Sequence, residues 1–100
     1  MGKIKQNNIE ITKVIFRKFK DGEIIALFPE LPGDNSVLNC LNYMAIGQHG
    51  SGTASLADTK PALPEEYQSV FNELYQIGYR MKVISRFTYR MDQNRIKAIR

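Results

Sequence analysis

The fold is decided by residues 12–28, which read TKVIFRKFKDGEIIALF. Two runs rich in β-branched and aromatic residues, Thr12–Phe19 and Glu23–Phe28, flank the pair Asp21-Gly22, and such runs are typical of strands. An Asp-Gly pair between two strands favours a tight hairpin, because both turn positions tolerate positive φ. The stretch therefore predicts an antiparallel hairpin. Pro29 is expected to end its second strand, because proline has no N–H for the ladder.

One amphipathic helix is predicted further along the chain. Pro64 suits the first helical position, and the acids Glu65 and Glu66 complement the positive end of the helix dipole. Gly78 can take the left-handed conformation that closes a helix. The apolar positions recur at spacings of three and four and so form one face: Tyr67, Val70, Phe71, Leu74 and Ile77.

Two further strands are expected beside the hairpin. The third is predicted at Leu41–Ile46, after the turn-forming residues 29–36, and the last at Tyr79–Tyr89. Residues 47–63 are polar and contain glycine, so they predict a long loop. Residues 1–10 are expected to fray, and residues 91–100 to form a flexible tail or a short basic helix that starts near Asp92.

The element order β-β-β-α-β predicts an α+β fold, in which a four-stranded antiparallel or mixed sheet carries one helix packed on one face. We expect the last strand beside the first, in the order 4-1-2-3, with a right-handed crossover if those strands are parallel. A chain of 100 residues with 43% hydrophobic and 24% charged residues is typical of a single globular domain, here 1–100.

Cysteine usage and hydropathy indicate a cytoplasmic setting without a membrane. Cys40 is the only cysteine, so the chain has no internal disulfide and no second thiol for a redox or metal motif. The first residues lack the apolar segment of a secretory signal. No apolar run approaches the roughly 20 residues that span a bilayer.

Charge is distributed very unevenly along the chain. Residues 1–20 carry six Lys or Arg and one Glu, a net +5, whereas residues 21–78 carry one Lys and eight acids, a net −7. Residues 79–100 carry seven Lys or Arg and one Asp, a net +6, and the three segments sum to +4. Both basic segments include predicted strands, so the sheet is expected to display positive charge.

Period-two alternation predicts which of these cations share a surface. If the helix covers the other face, the first and last strands together expose five cations, with Phe19 available to stack on a base: Lys13, Arg17, Lys82, Arg86 and Arg90. Cations at strand spacing can follow successive phosphates of a nucleic acid. Two other interpretations stay open. The cations can simply solvate a half-exposed sheet, or they can meet an acidic surface on a protein partner or a second copy.

A second candidate site is the loop Gly47–Thr53, which contains His49, the only histidine. Glycine lets backbone amides approach an anion, but the spacing matches no known phosphate-binding motif, and a flexible connector with one surface histidine explains the segment better. A nucleophile pair of Cys40 and His49 lacks any supporting motif. One Cys and one His fall short of a zinc site. We therefore expect no catalytic residue, no metal and no cofactor.

Two stretches carry a resemblance to a known group of proteins: residues 14–30, VIFRKFKDGEIIALFPE, and residues 40–49, CLNYMAIGQH. They resemble small proteins of no assigned activity that are encoded by bacteriophages and mobile elements of gut Bacteroidetes. The resemblance covers about Thr12 to Phe87 and implies a bacterial or phage setting. It raises the expectation of a role in handling nucleic acid or in phage–host conflict, and it transfers no catalytic residue.

These observations predict a non-enzymatic binding module that contacts nucleic acid through a basic sheet face and its C-terminal tail. The alternative is a protein-interaction or inhibitor module, in one form a homodimer, that docks through an edge strand or the basic tail.

Overall fold

The computed structural model describes residues 10–33, 40–44, 48–52 and 58–99, and these fold as predicted into an α+β architecture. In chain order the elements are β1 (Thr12–Phe19), β2 (Ile24–Pro32), β3 (Cys40–Met44), β4 (Gln48–Gly52), β5 (Thr59–Pro61), α1 (Pro64–Ile77), β6 (Met81–Val83) and α2 (Tyr89–Ile99). The described residues thus form six strands and two helices, where the sequence predicted four strands, one helix and a tail.

The sheet has the strand order β4-β3-β2-β1-β5, with antiparallel neighbours throughout, and β6 adds to β1 in parallel. Both β5 and β6 lie along the same edge of β1: β6 pairs with residues 12–14, and β5 pairs with residues 17–19. The last strand therefore lies beside the first, as predicted. Each of these edge strands has three residues and β5 contains Pro61, features that discourage pairing with other chains.

The β1–β2 hairpin forms as the Asp-Gly signal predicts. Gly22 has a φ of 94°, a region that non-glycine residues rarely adopt. The Gly22 N–H donates to the Phe19 carbonyl at 2.9 Å, and the Asp21 carboxylate accepts from the Glu23 N–H at 2.9 Å. The turn is therefore closed by its own residues.

Alternation along β1 divides its side chains between two apolar clusters, one on each face of the sheet. On the first face, α1 contributes Val70 and Leu74, and the buried sheet residues are Val14, Phe16, Ala26, Phe28 and Tyr43. On the other face the buried residues are Ile15, Ile25, Leu27 and Cys40. The sheet is thus apolar on both faces.

Both ends of α1 follow the sequence signals. Pro64 is the first helical residue, and the Glu66 carboxylate accepts a hydrogen bond from the Leu63 N–H at 2.8 Å. At the other end Gly78 has a φ of 130°, and its N–H donates to the Leu74 and Tyr75 carbonyls. Val70 and Leu74 are buried as predicted, whereas Ile77, which was predicted on the same apolar face, is exposed.

Two predicted boundaries are wrong. Pro29 does not end the second strand, which continues to Pro32. The pairing with β3 shifts register between Phe28 and Pro32, and a proline is tolerated at such an irregularity because its missing N–H breaks no regular ladder there. The predicted loop 47–63 contains β4 and β5. The third strand covers Cys40–Met44, while residues 45–47 lie outside the described part of the chain.

The last predicted strand, Tyr79–Tyr89, is also wrong beyond Val83. The chain bends at Ser85 and Arg86, so that Ile84 and Phe87 pack on the second apolar cluster, and α2 then begins at Tyr89. Burial of these apolar side chains against an apolar sheet face stabilises the fold more than further strand pairing along the short free edge of β1 would. The predicted tail helix is present but begins three residues before Asp92.

Helix α2 packs against β2 through a buried stripe that includes Met91 and Arg95, which are 7% and 6% exposed. Thr88 caps the helix, because its hydroxyl accepts from the Met91 N–H at 3.3 Å. The Arg95 guanidinium donates to the Pro29 carbonyl at 2.7 Å and to the Asp92 carboxylate at 3.0 Å. Pro29, which lies within the register shift of β2, therefore accepts a hydrogen bond from the second helix through its carbonyl.

Candidate nucleic-acid interface

The predicted basic sheet face is not a solvent-exposed surface. The face that Lys13, Ile15, Arg17 and Phe19 were expected to share includes Ile15, which is 2% exposed within the second apolar cluster. The prediction assumed that one face of the sheet would be left to solvent.

The two cations of β1 have partners within the protein. The Lys13 ammonium lies 3.4 Å from the Glu30 carboxylate, which also accepts from the Asn94 amide at 2.7 Å. The Arg17 guanidinium donates to the Thr59 hydroxyl at 3.0 Å and to the Thr59 carbonyl at 2.7 Å. Arg17 therefore links β5 to β1. Both cations are engaged by groups of the protein itself and are not directed at an external phosphate.

Phe19 is partly buried against the second cluster at the hairpin end of the sheet. It lines an open cavity of about 460 Å³, where Lys20 and Lys60 stand together with Asp21 and Asp58. This cavity mixes both signs of charge, so it does not extend the basic surface.

Lys82, Arg86 and Arg90 are exposed, and they keep the exposure that the sequence predicted. Lys82 lies in β6, directly opposite Lys13 in register. Arg86 occupies the bend that follows β6, and Arg90 the first turn of α2. Three of the six predicted contact residues are therefore available to a partner, and all three belong to the C-terminal segment.

Sequence reasoning missed two exposed residues of the same segment. Lys97 is exposed on the same stripe of α2 as Arg90 and Asn94, at helical spacings of four and three. Tyr89 is 78% exposed at the start of the helix. Predicting residues 79–89 as a strand placed Tyr89 on the face opposite the cations. Predicting a helix from Tyr89 onward would have identified both residues as exposed.

We call the set Lys82, Arg86, Tyr89, Arg90 and Lys97 the C-terminal basic surface. The only acid among residues 79–99 is Asp92, and its carboxylate is paired with the buried Arg95. The nearby Glu30 carboxylate is shared between Lys13 and Asn94. The positive charge of this surface is thus little offset by acids of its own segment.

The nucleophile pair gains no support from the sheet register. Cys40 stands opposite Gly52, while His49 stands opposite Tyr43, three residues further along the ladder. At about 3.3 Å per residue their backbones are about 10 Å apart. Burial also raises the pKa of the Cys40 thiol, which disfavours the thiolate that a nucleophile requires. The segment of His49, predicted as a loop, is strand β4.

Within the described ranges no three side chains among His, Cys, Asp and Glu are grouped so that they could hold a metal ion. Among the same residues, neither helix has the length and apolar character needed to cross a membrane.

Comparison with protein-family models, with curated proteins and with solved structures finds no match for this chain.

Proposed function

We propose that this protein is a non-enzymatic nucleic-acid-binding module whose contact surface is the C-terminal basic surface. The observation that carries the proposal is the exposure of four cations, Lys82, Arg86, Arg90 and Lys97, in a segment whose only acid is already paired. Phosphate groups bind such cations with release of counterions, which provides affinity without any need for sequence readout.

The proposal moves the contact surface from the sheet to the bend and helix that follow β6. The arginine and lysine side chains of the bend and of α2 have long, solvated aliphatic stems, so their charged groups can adapt to a flexible phosphate chain. The structural roles of Lys13 and Arg17 leave them outside this surface.

A cytoplasmic setting and a phage or mobile-element origin belong to the same proposal. Cys40 is a buried free thiol, a state that a reducing compartment maintains. Small basic proteins that handle nucleic acid fit the setting implied by the resemblance of residues 14–30 and 40–49.

The test is binding of the purified protein to fluorescein-labelled single-stranded and duplex oligonucleotides, measured by fluorescence anisotropy at low salt. The variant Arg86→Glu/Arg90→Glu lowers the formal net charge from +4 to 0. The control Lys20→Glu/Lys60→Glu makes the same change of charge at exposed positions near the hairpin end. We expect the first variant to lose binding far more than the control. Equal losses would show that net charge alone attracts the probe, and no binding by the wild type would refute the proposal.

A protein-interaction module is the second candidate, and it is favoured by apolar side chains around the connection between α1 and β6. Ile11 is 61% exposed, Tyr75 49% and Ile77 51%. The Arg80 guanidinium lies 4.0 Å from the centre of the Tyr75 ring, and the Arg80 carbonyl accepts from the Thr12 N–H, which brings these residues to one end of the sheet. A stable dimer in light scattering that Ile77→Arg dissociates would favour this candidate.

A further inference from the structure

Tyr89 differs from every other aromatic residue of the protein. The chain has five Phe and five Tyr, all within the described residues. Eight of them pack in or against the two apolar clusters, and the Tyr75 ring is covered by the Arg80 guanidinium at 4.0 Å. Tyr89 belongs to neither cluster, and at 78% it is the most exposed large apolar side chain among the described residues.

The backbone of Tyr89 is nevertheless held in place. It is the first residue of α2, directly after Thr88, whose hydroxyl accepts from the Met91 N–H and whose carbonyl accepts from the Asp92 N–H at 3.2 Å. Met91 and Arg95, in the next turns of α2, are buried, and the helix packs against β2. An exposed ring on an anchored turn has only two side-chain torsions to order when it meets a ligand.

Two arginines lie close to Tyr89 in the sequence. Arg90 follows it directly, Arg86 lies three residues earlier in the bend, and both are exposed. An exposed ring with an arginine before it and another after it in the chain offers an apolar face for a base, and these arginines can reach the flanking phosphates.

We propose that Tyr89 is a stacking platform for an unpaired base, so that the C-terminal basic surface prefers single-stranded nucleic acid to duplex. The inference rests on the proposed function and adds the class of nucleic acid. Phosphate contacts are available on both kinds of strand, whereas the faces of duplex bases are already stacked on each other. Only a single strand can therefore use the ring at no cost of unpairing.

The experiment measures dissociation constants for labelled oligo(dT), oligo(rU) and a mixed-sequence duplex of equal length, all at one salt concentration. The variants are Tyr89→Ala, Tyr89→Phe and, as the control, Tyr75→Ala on the exposed side of α1. Because Tyr89 is outside both clusters, we expect unchanged thermal melting for its variants. We expect Tyr89→Ala to weaken single-strand binding about ten-fold or more. Tyr89→Phe should bind single strands like the wild type, and duplex binding should change little in either variant.

The outcomes separate this inference from the proposed function. Selective loss of oligo(dT) or oligo(rU) binding in Tyr89→Ala, with Tyr75→Ala like the wild type, supports the platform. Equal wild-type affinity for single strands and duplex, or a Tyr89→Ala variant that binds single strands normally, overturns the platform while the proposed function stands. No binding of any probe at low salt overturns both.

Discussion

Replacing the buried Arg95 by alanine should destabilise the protein by releasing α2 from β2. The Arg95 side chain is 7% exposed, and its guanidinium donates to the Pro29 carbonyl at 2.7 Å. A hydrogen bond from a charged donor contributes about 1.5–3 kcal/mol. The ion pair with Asp92 adds at most about 1 kcal/mol, because the Asp92 carboxylate is 43% exposed and solvent screens it. We therefore expect the free energy of unfolding to fall by about 1.5–4 kcal/mol.

The assay is thermal unfolding followed by circular dichroism. In a domain of 100 residues each kcal/mol corresponds to about 4 °C or more, so Arg95→Ala should lower Tm by about 6 °C or more. The exposed Lys97 on the same helix provides the control, and Lys97→Ala should stay within about 0.5 kcal/mol of the wild type. Amide hydrogen exchange of residues 89–99 should accelerate in Arg95→Ala. An unchanged Tm together with unchanged exchange would refute the role given to Arg95.

Three further predictions concern the core, an acid at a helix start and the single thiol. Leu74→Ala should lower the free energy of unfolding in urea by about 2–5 kcal/mol, because it leaves a cavity under α1 at a fully buried position. The Leu63 N–H and Lys18 hold the pKa of Glu66 below its usual range, so this carboxylate stabilises the fold at neutral pH and less as the pH falls through its folded pKa. Glu66→Gln should therefore be less stable than the wild type near neutral pH in urea titrations, with the difference disappearing in acid. Cys40 should react slowly with a thiol reagent in the native state and rapidly in denaturant, because it is buried and its pKa is raised.

Each of these predictions has a contradicting result. A Leu74→Ala variant as stable as the wild type would mean that α1 is not packed on the first face as described. A Glu66→Gln deficit that persists unchanged in acid would show that the charge of Glu66 is not the cause. Equal labelling of Cys40 in native and unfolded protein would show that β3 does not bury it.

The parts of the fold predicted correctly are those whose signals are local. The hairpin depends on Asp21-Gly22 and the two runs beside it, and α1 depends on the apolar spacing between Pro64 and Gly78. Both signals lie within a few residues of the structure they specify. Placing the last strand beside the first was also correct, because β1 had an edge left to pair.

The errors arise where distant residues decide the local structure. The alternation along β1 was predicted correctly. However, nothing near Ile15 indicates that Phe87 packs against the second cluster or that α2 packs against β2. Pro29 continues β2 through a register shift that the sequence does not reveal. An arginine is ordinarily exposed, so the burial of Arg95 depends on a carbonyl 66 residues away.

The same distinction explains the candidate site. Lys13 and Arg17 were predicted as contact residues from their strand positions, and their partners Glu30 and Thr59 come from elsewhere in the chain. Arg86 and Arg90 remain exposed because their segment turns away from the sheet edge. The uneven distribution of charge along the sequence thus predicted the exposed cations better than the period-two alternation of the strands did.

The most direct test of the central claim is the salt dependence of oligo(dT) binding. Four phosphate contacts, one for each exposed cation of the C-terminal basic surface, predict a slope of about −2.8 for the logarithm of the association constant against the logarithm of salt concentration. Arg86→Ala/Arg90→Ala should reduce the slope by about 1.4. The matched variant Lys20→Ala/Lys60→Ala should leave it unchanged. A slope that is the same in both double variants, or changes only in the second, would contradict the assignment of phosphate binding to this surface.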